Sequence, residues 1–174
     1  MTHRRLATLS FFLLLTILVL GTTKPALSAS LPAGFISETV VPSLSSPTTI
    51  AFAPDGRMLI GQKDGRVRVF QNGTLMAADF VNIASEVNNY WDRGLLGIAV
   101  HPNFPTLPYI YLLYTYDPPG TTDNGSGARV SRLIRLTADA ATGYNTAVAN
   151  SAVVLLGNNS VLGTIGNPLS NDGV

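Results

Sequence analysis

The residues best placed for chemistry in this sequence are three neighbours, Trp91, Asp92 and Arg93, which directly precede an apolar run. A carboxylate accepts hydrogen bonds from hydroxyl groups, and a guanidinium binds anions. The sole tryptophan could form one wall of a pocket. The run from Leu95 to Val100 is short and ends at His101-Pro102, which favours a buried strand over a helix. The three residues therefore lie on a loop that enters a strand, where sheet proteins commonly carry binding groups.

Each of these residues also has a structural interpretation, and both interpretations remain open. Trp91 could fill the junction between two sheets, and Arg93 could anchor its loop; for these two residues we favour the structural role. Asp92 could form an ion pair or turn cap with Arg93 as readily as it could bind a ligand. His101 is not a candidate base, because an earlier copy of the same pattern has Ala53 at that position.

The pattern around His101 is one half of an internal repeat. The segment from Ile98 to Asn103 repeats Ile50 to Asp55, with an offset of 98 − 50 = 48 positions. Each copy is followed by a second apolar run and a third, alternating run. A period in the forties with several short strands per unit is typical of β-propeller blades, although a β-sandwich can imitate it. The sequence therefore predicts an all-β fold with about two blades, each an antiparallel sheet of up to four strands.

Turn residues divide these runs into strands. Three dipeptides predict hairpin turns in the first blade, namely Asp55-Gly56, Asp64-Gly65 and Asn72-Gly73. We also expect strands at Phe35–Val41, Ala78–Ile83 and Ala152–Leu156. The glycine-rich segment 117–127 predicts an exposed, mobile loop. Asp123 and Asn124 lie in that loop, but no spaced series of carboxylates follows, so the sequence indicates no metal site.

The N-terminal 28 residues have the pattern of a cleavable signal peptide, with a basic start, an apolar run from Leu6 to Leu20 and small residues near Ser28. We therefore expect a secreted or periplasmic protein with no membrane span after cleavage. Cleavage removes three of the 11 basic residues and leaves 8 against 10 acidic ones, a net charge of 8 − 10 = −2. This charge gives no indication of nucleic-acid binding. We expect five arginines to alternate along solvated strand faces, namely Arg66, Arg68, Arg129, Arg132 and Arg135.

The segment Arg93–Phe104, followed by Pro108–Tyr111, resembles the glucose/sorbosone dehydrogenase family, and Pro47–Ile60 resembles the first blade of that family. The similarity covers roughly Phe35 to Leu156. It implies a six-bladed propeller that oxidises a sugar or polyol, with pyrroloquinoline quinone (PQQ) and calcium as cofactors and an external electron acceptor. In the family's glucose enzymes, a glutamine near the substrate occupies the position of Asp92, so their sugar specificity cannot be assumed here.

The resemblance also implies residues that this sequence does not contain. The family's catalytic histidine and its calcium and quinone ligands belong to later motifs, so we expect no catalytic residue and no metal ligand in this segment. We interpret residues 29–174 as the N-terminal part of a longer propeller, inactive by itself. The alternative is a non-catalytic extracellular propeller that binds carbohydrate or protein, since a fold does not fix a function.

Overall fold

The computed structural model describes residues 31–157, so the predicted signal peptide and the residues after 157 lie outside the described part. Strands form two antiparallel sheets. Blade 1 contains β1 (Pro47–Phe52), β2 (Met58–Gln62), β3 (Arg66–Gln71), β4 (Thr74–Leu75) and β5 (Val81–Asn82). Blade 2 contains β6 (Leu95–Val100), β7 (Tyr109–Tyr116), β8 (Val130–Thr137) and β9 (Val153–Leu156). A 3-10 turn, Ala140–Thr142, precedes β9. The prediction of an all-β fold built from propeller blades is confirmed.

The hairpins of blade 1 form at the predicted dipeptides. Asn72 and Gly73 have φ values of 51° and 75°, the pair of positive values that suits a two-residue turn between twisted strands. Before β2, Asp55 Oδ1 accepts a hydrogen bond from the Arg57 amide at 3.2 Å. Before β3, Asp64 Oδ1 accepts from the Arg66 amide at the same distance. These local bonds hold β1, β2 and β3 in an antiparallel meander.

Two predicted strands differ from the structure. Of the outer strand predicted at Ala78–Ile83, only the two residues of β5 form a strand. β4 precedes the predicted range; β4 and β5 both pair with β3, and the chain between them leaves the ladder. In that gap the Asp79 carboxylate forms ion pairs with Arg66 and Arg68. The prediction of a strand at Phe35–Val41 was wrong, because the backbone there forms no strand. Its β-branched and aromatic residues favour a strand, but this stretch pairs with no strand of residues 31–157.

The internal repeat is a repeat of structure. β1 and β6 are the first strands of their sheets, and each pairs with the next strand along the chain. The register shifts between Pro47 and Thr49 in β1, and between Leu95 and Gly97 in β6. These irregularities are again 95 − 47 = 48 positions apart, so the two blades share even their departure from regular pairing.

β1 and β2 pack against β6, and this contact forms the seam between the blades. Leu95 is fully buried there. Its amide donates to the carbonyl of Lys63 at 3.1 Å, and its own carbonyl accepts from Thr48 Oγ1 at 2.5 Å. Gly61 makes this approach possible, because a Cβ at Gly61 would lie 2.6 Å from Thr49 Cγ2 and 3.0 Å from Leu95 Cδ2. The seam therefore combines apolar burial with hydrogen bonds from one blade to the other.

The expected solvated row of arginines was wrong for two of its members. Arg129 and Arg132 are both only 5% exposed. Arg129 is buried because it pairs with Asp117 and Asp123. Arg132 lies 3.2 Å above the ring of Tyr116 and 3.6 Å from Glu86 Oε2. Alternation along a strand shows which face a side chain takes, but it does not show that a loop folds over that face.

Among residues 31–157, no helix is long and apolar enough to cross a membrane.

Candidate functional site

The candidate site lies on the crossover between the blades, which runs from the end of β5 to the start of β6. Val87 forms an isolated bridge with Tyr116. The Asn88 amide donates to the Thr115 carbonyl, and the Asp117 amide donates to the Glu86 carbonyl, both at 2.9 Å. The crossover therefore pairs with the end of β7 and lies beside the start of the loop 117–127.

Trp91 does not fill the junction between the blades, so the favoured structural interpretation was wrong. Its side chain is 75% exposed, and its backbone has a φ of 51°. Positive φ is uncommon for a bulky residue, and such conformations persist where the surroundings hold them. Here the Lys63 ammonium of blade 1 donates to the Trp91 carbonyl. The indole is directed outward, beside the ring of Tyr90 at a centroid distance of 6.3 Å.

Arg93 is fully buried, in contrast to Trp91 and Asp92, which precede it. Its Nη1 donates to the carbonyls of Gly125 and Gly127, each at 2.7 Å. The guanidinium therefore holds the loop 117–127 against the crossover, which is the anchoring role, and this nitrogen is directed at the protein's own backbone. Asp92 lies exposed at the surface. The two residues thus separate into one buried anchor and one carboxylate that faces solvent.

A second arginine closes the loop 117–127 from its other end. Arg129 Nε donates to Asp117 Oδ1 at 2.7 Å, and both of its terminal nitrogens donate to the Asp123 carboxylate, at 2.7 and 2.9 Å. The sequence predicted an exposed loop, and much of its surface is exposed. What the sequence did not predict is that two buried arginines tie the loop down.

The ion pair of the loop makes Asp123 a stronger acid. The hydrogen bond from Arg129 lowers the pKa of the Asp123 carboxyl to about 2. We expect NMR titration of the native protein to show a midpoint near this value, against roughly 3.9 in the urea-unfolded chain. Because the folded pKa is the lower one, the pair stabilises the fold fully above about pH 4 and loses that effect as the pH falls toward 2.

An Arg129→Leu variant provides the contrast. Its side chain has neither the hydrogen-bond donors nor the charge that lower the pKa of Asp123, so the native midpoint is expected to move most of the way toward the unfolded value. A midpoint unchanged by this substitution would contradict the assignment of Arg129 as the clamp of the loop.

His101 occupies a structural position. Its Nδ1 accepts a hydrogen bond from the Asn103 amide at 3.1 Å, and its ring lies edge-on to Tyr109 at a centroid distance of 6.0 Å. These contacts fix the turn after β6. Within the described residues, no group of three or more His, Cys, Asp or Glu side chains is placed to hold a metal ion.

Three residues that organise the site were missed in the sequence. Asn88, Arg129 and Gly125 carry no motif, yet Asn88 Nδ2 donates to the Gly125 carbonyl at 3.1 Å and Arg129 closes the loop. A weak signal existed for Arg129, because two aspartates precede it within one glycine-rich segment. No pattern of spacing marks Asn88, since its partner is 37 residues away.

Comparison with known proteins gives a consistent set of similarities. The model of the Glucose / Sorbosone dehydrogenase family matches residues 44–160, more than half of the chain. The fold resembles that of an oxidoreductase, named as a glucose dehydrogenase, from Thermus thermophilus, at 32% identity and a TM-score of 0.52 over 67% of this chain. It also resembles the PQQ-bound aldose sugar dehydrogenase of Streptomyces coelicolor, at 22% identity and a TM-score of 0.52 over 67% of this chain.

An uncharacterised protein of Synechocystis is 28% identical over an alignment of 102 residues that covers 55% of this chain. The chain spans only part of the length of these proteins: 31% of the Thermus protein, 32% of the Streptomyces enzyme and 24% of the Synechocystis protein.

Proposed function

We propose, from the premise that this chain belongs to the glucose/sorbosone dehydrogenase family, that the complete protein oxidises a sugar or polyol with PQQ as the electron acceptor. The single observation that carries this proposal is the family match, which includes both blades and the seam between them. The likeness to a PQQ-bound aldose sugar dehydrogenase supports the fold alone, because the identity is 22%. Electrons would leave the complete protein to an external acceptor.

Within this proposal, Asp92 is the substrate-facing group and Trp91 the aromatic side chain beside it. Both side chains are exposed on the crossover, so both are accessible to a soluble ligand. A carboxylate that accepts hydrogen bonds from sugar hydroxyls forms some of the stronger polar contacts available to a protein. Arg93 acts on the ligand only indirectly, because it holds the loop beside the crossover.

The described residues do not by themselves fit the cofactors that the family implies. Among residues 31–157 no acidic cluster suits calcium, and Arg93 Nη1 donates to loop carbonyls. We therefore assign no reaction step to these residues, and the groups that bind PQQ and calcium and abstract the proton belong to the rest of the proposed enzyme. The proposal also includes export: the pattern of residues 1–28 supports a secreted or periplasmic location, with residues 29–174 as the mature start of the propeller.

The test is reduction of an artificial dye by the complete purified protein, supplied with PQQ and calcium and with a panel of aldoses, ketoses and polyols. We expect dye reduction that depends on both PQQ and a sugar. A protein that binds sugars but reduces no dye with any member of the panel would overturn the proposal. That outcome would support the alternative, a carbohydrate-binding propeller without redox activity, for which the exposed Trp91 is the favouring observation.

Asp92→Asn is expected to lower kcat/KM by roughly 10- to 100-fold, because hydrogen bonds to a charged group contribute about 1.5–3 kcal/mol. The matched control is Asp139→Asn. Asp139 accepts a hydrogen bond from the Ala141 amide in the 3-10 turn, a capping role that asparagine also fulfils. Steady-state kinetics that show equal losses for both variants would remove Asp92 from the substrate site.

A further inference from the structure

A cavity of about 310 Å³ lies between the crossover and the loop 117–127. Its floor contains Val87 and Asn88, both buried, and Tyr90 and Asp117 form part of its wall. Asn89 and Thr122 lie at its exposed rim. One water molecule occupies about 30 Å³ in the liquid, so the cavity has room for a small organic molecule and its hydration.

The side chains that line the cavity offer hydrogen bonds but little charge. Of the side chains that line the cavity, those of asparagine and threonine both donate and accept hydrogen bonds, and none is lysine, arginine or histidine, so an anion finds no charged partner. The carboxylate of Asp117 is already paired with Arg129, which reduces its attraction for a cation. Because these uncharged side chains both donate and accept hydrogen bonds, the cavity suits a neutral molecule that is rich in hydroxyl groups.

The walls are held in place by contacts that do not involve a ligand. Asn88 bridges the two sides, since its Oδ1 accepts from the Tyr90 amide and its Nδ2 donates to the Gly125 carbonyl, both at 3.1 Å. The loop must approach closely here, because a Cβ at Gly125 would lie 3.2 Å from Asn88 Nδ2. Arg93 and Arg129 fix the same loop from behind. A preformed cavity binds more tightly than one that must be ordered on binding.

We propose that this cavity between the crossover and the loop 117–127 is a binding site for a neutral polyhydroxylated molecule, such as one unit of a saccharide. Asn89 and Thr122 contact its hydroxyls at the rim, and the half-buried ring of Tyr90 contacts an apolar face of its carbon skeleton. The site requires neither PQQ nor calcium, and it is separate in its residues from the exposed carboxylate of Asp92. It therefore goes beyond the oxidation proposed above.

The experiment is a titration of the complete protein without PQQ, using D-glucose, D-sorbitol and maltotriose as probes. Binding is followed by calorimetry and, if Trp91 is the sole tryptophan of the complete protein, by its fluorescence. The test variant combines Asn89→Ala with Thr122→Val, two rim residues outside the hydrogen bonds that hold the walls. The control combines Asn103→Ala with Thr106→Val, the same two substitutions at exposed positions in the turn between β6 and β7.

We expect saturable binding of at least one probe, weakened about tenfold or more in the rim variant, in line with the loss of two hydrogen-bonding groups, and unchanged in the control. Tighter binding of maltotriose than of glucose would identify a polymer chain as the source of the ligand, and the reverse order a free sugar.

Three results would overturn the inference. The first is no saturable binding of any probe. The second is a rim variant that binds like the unmodified protein while Asp92→Asn abolishes binding, which would place the sugar at the dehydrogenase site. The third is tighter binding of gluconate or glucosamine than of glucose, which would show a site for a charged ligand. Because the titration measures no redox step, absence of dehydrogenase activity would leave the inference standing.

Discussion

Arg57→Ala should lower the free energy of unfolding by about 3 kcal/mol, at the low end of the range for breaking a buried ion pair, because Asp55 remains 24% exposed. The Arg57 side chain is 4% exposed, and its Nη2 lies 2.7 Å from Asp55 Oδ2. Burial raises the pKa of Asp55, but hydrogen bonds and charge from Arg57 outweigh this effect and hold the pKa below its usual value.

The size of this effect comes from contacts that cross between the blades. Arg57 belongs to the β1–β2 turn of blade 1, yet its terminal nitrogens donate to the carbonyls of Tyr144 and Gly143 in blade 2, at 2.5 and 3.0 Å. The guanidinium also lies 5.2 Å from the ring centroid of Phe104. Alanine would leave two backbone carbonyls, the side-chain oxygen of Asn145 and one carboxylate without this partner, at the end of the seam away from the crossover.

Urea unfolding of the protein measures the loss, and Arg66→Ala is the matched control. The Arg66 side chain is 48% exposed and pairs with Asp79 on the surface, where such pairs contribute about 0–1 kcal/mol. A loss at Arg57 no larger than the loss at Arg66 would contradict its role as a clamp between the blades.

Gly94→Ala is expected to lower the free energy of unfolding by roughly 2–6 kcal/mol, the sum of backbone strain of about 1–3 kcal/mol and overpacking of about 1–3 kcal/mol. Gly94 has a φ of 142°, and a Cβ there would lie 2.6 Å from the backbone oxygen of Lys63. That oxygen cannot move away cheaply, because it accepts the hydrogen bond from the Leu95 amide across the seam.

The control is Gly73→Ala in the β3–β4 turn. Gly73 also has a positive φ, of 75°, but nothing lies within 4 Å of a Cβ built there. The control therefore carries a milder backbone strain and no overlap, and thermal unfolding should show a clearly smaller loss of stability. Equal losses would mean that the approach of Lys63 to Gly94 is not a constraint on the seam.

The strands and turns of this fold were predictable because they depend on local patterns. Asn72-Gly73 supports positive φ at two successive positions, and the repeat of Ile50–Asp55 at Ile98–Asn103 located the first strand of each blade. The prediction of a strand at Phe35–Val41 was wrong because propensity describes a single residue, whereas a strand forms only where it pairs with another strand.

The site was predictable in its position but not in its contacts. Trp91, Asp92 and Arg93 do lie on the crossover that enters β6, as the apolar run after them indicated. The burial of Arg93 depends on the loop 117–127, which lies more than 30 residues later in the chain and accepts hydrogen bonds from the guanidinium. Composition predicted that loop as exposed, and only the fold shows that Arg93 and Arg129 hold it.

The most direct test of the account is a single turnover of the complete protein. PQQ and calcium are bound first, oxygen and external acceptors are removed, and the absorption spectrum of the bound quinone is recorded as a sugar is added. The account predicts two-electron reduction of the quinone by at least one aldose, ketose or polyol, with one sugar consumed per quinone. A complete protein that binds no PQQ, or whose bound PQQ stays oxidised with every sugar tested, would contradict it.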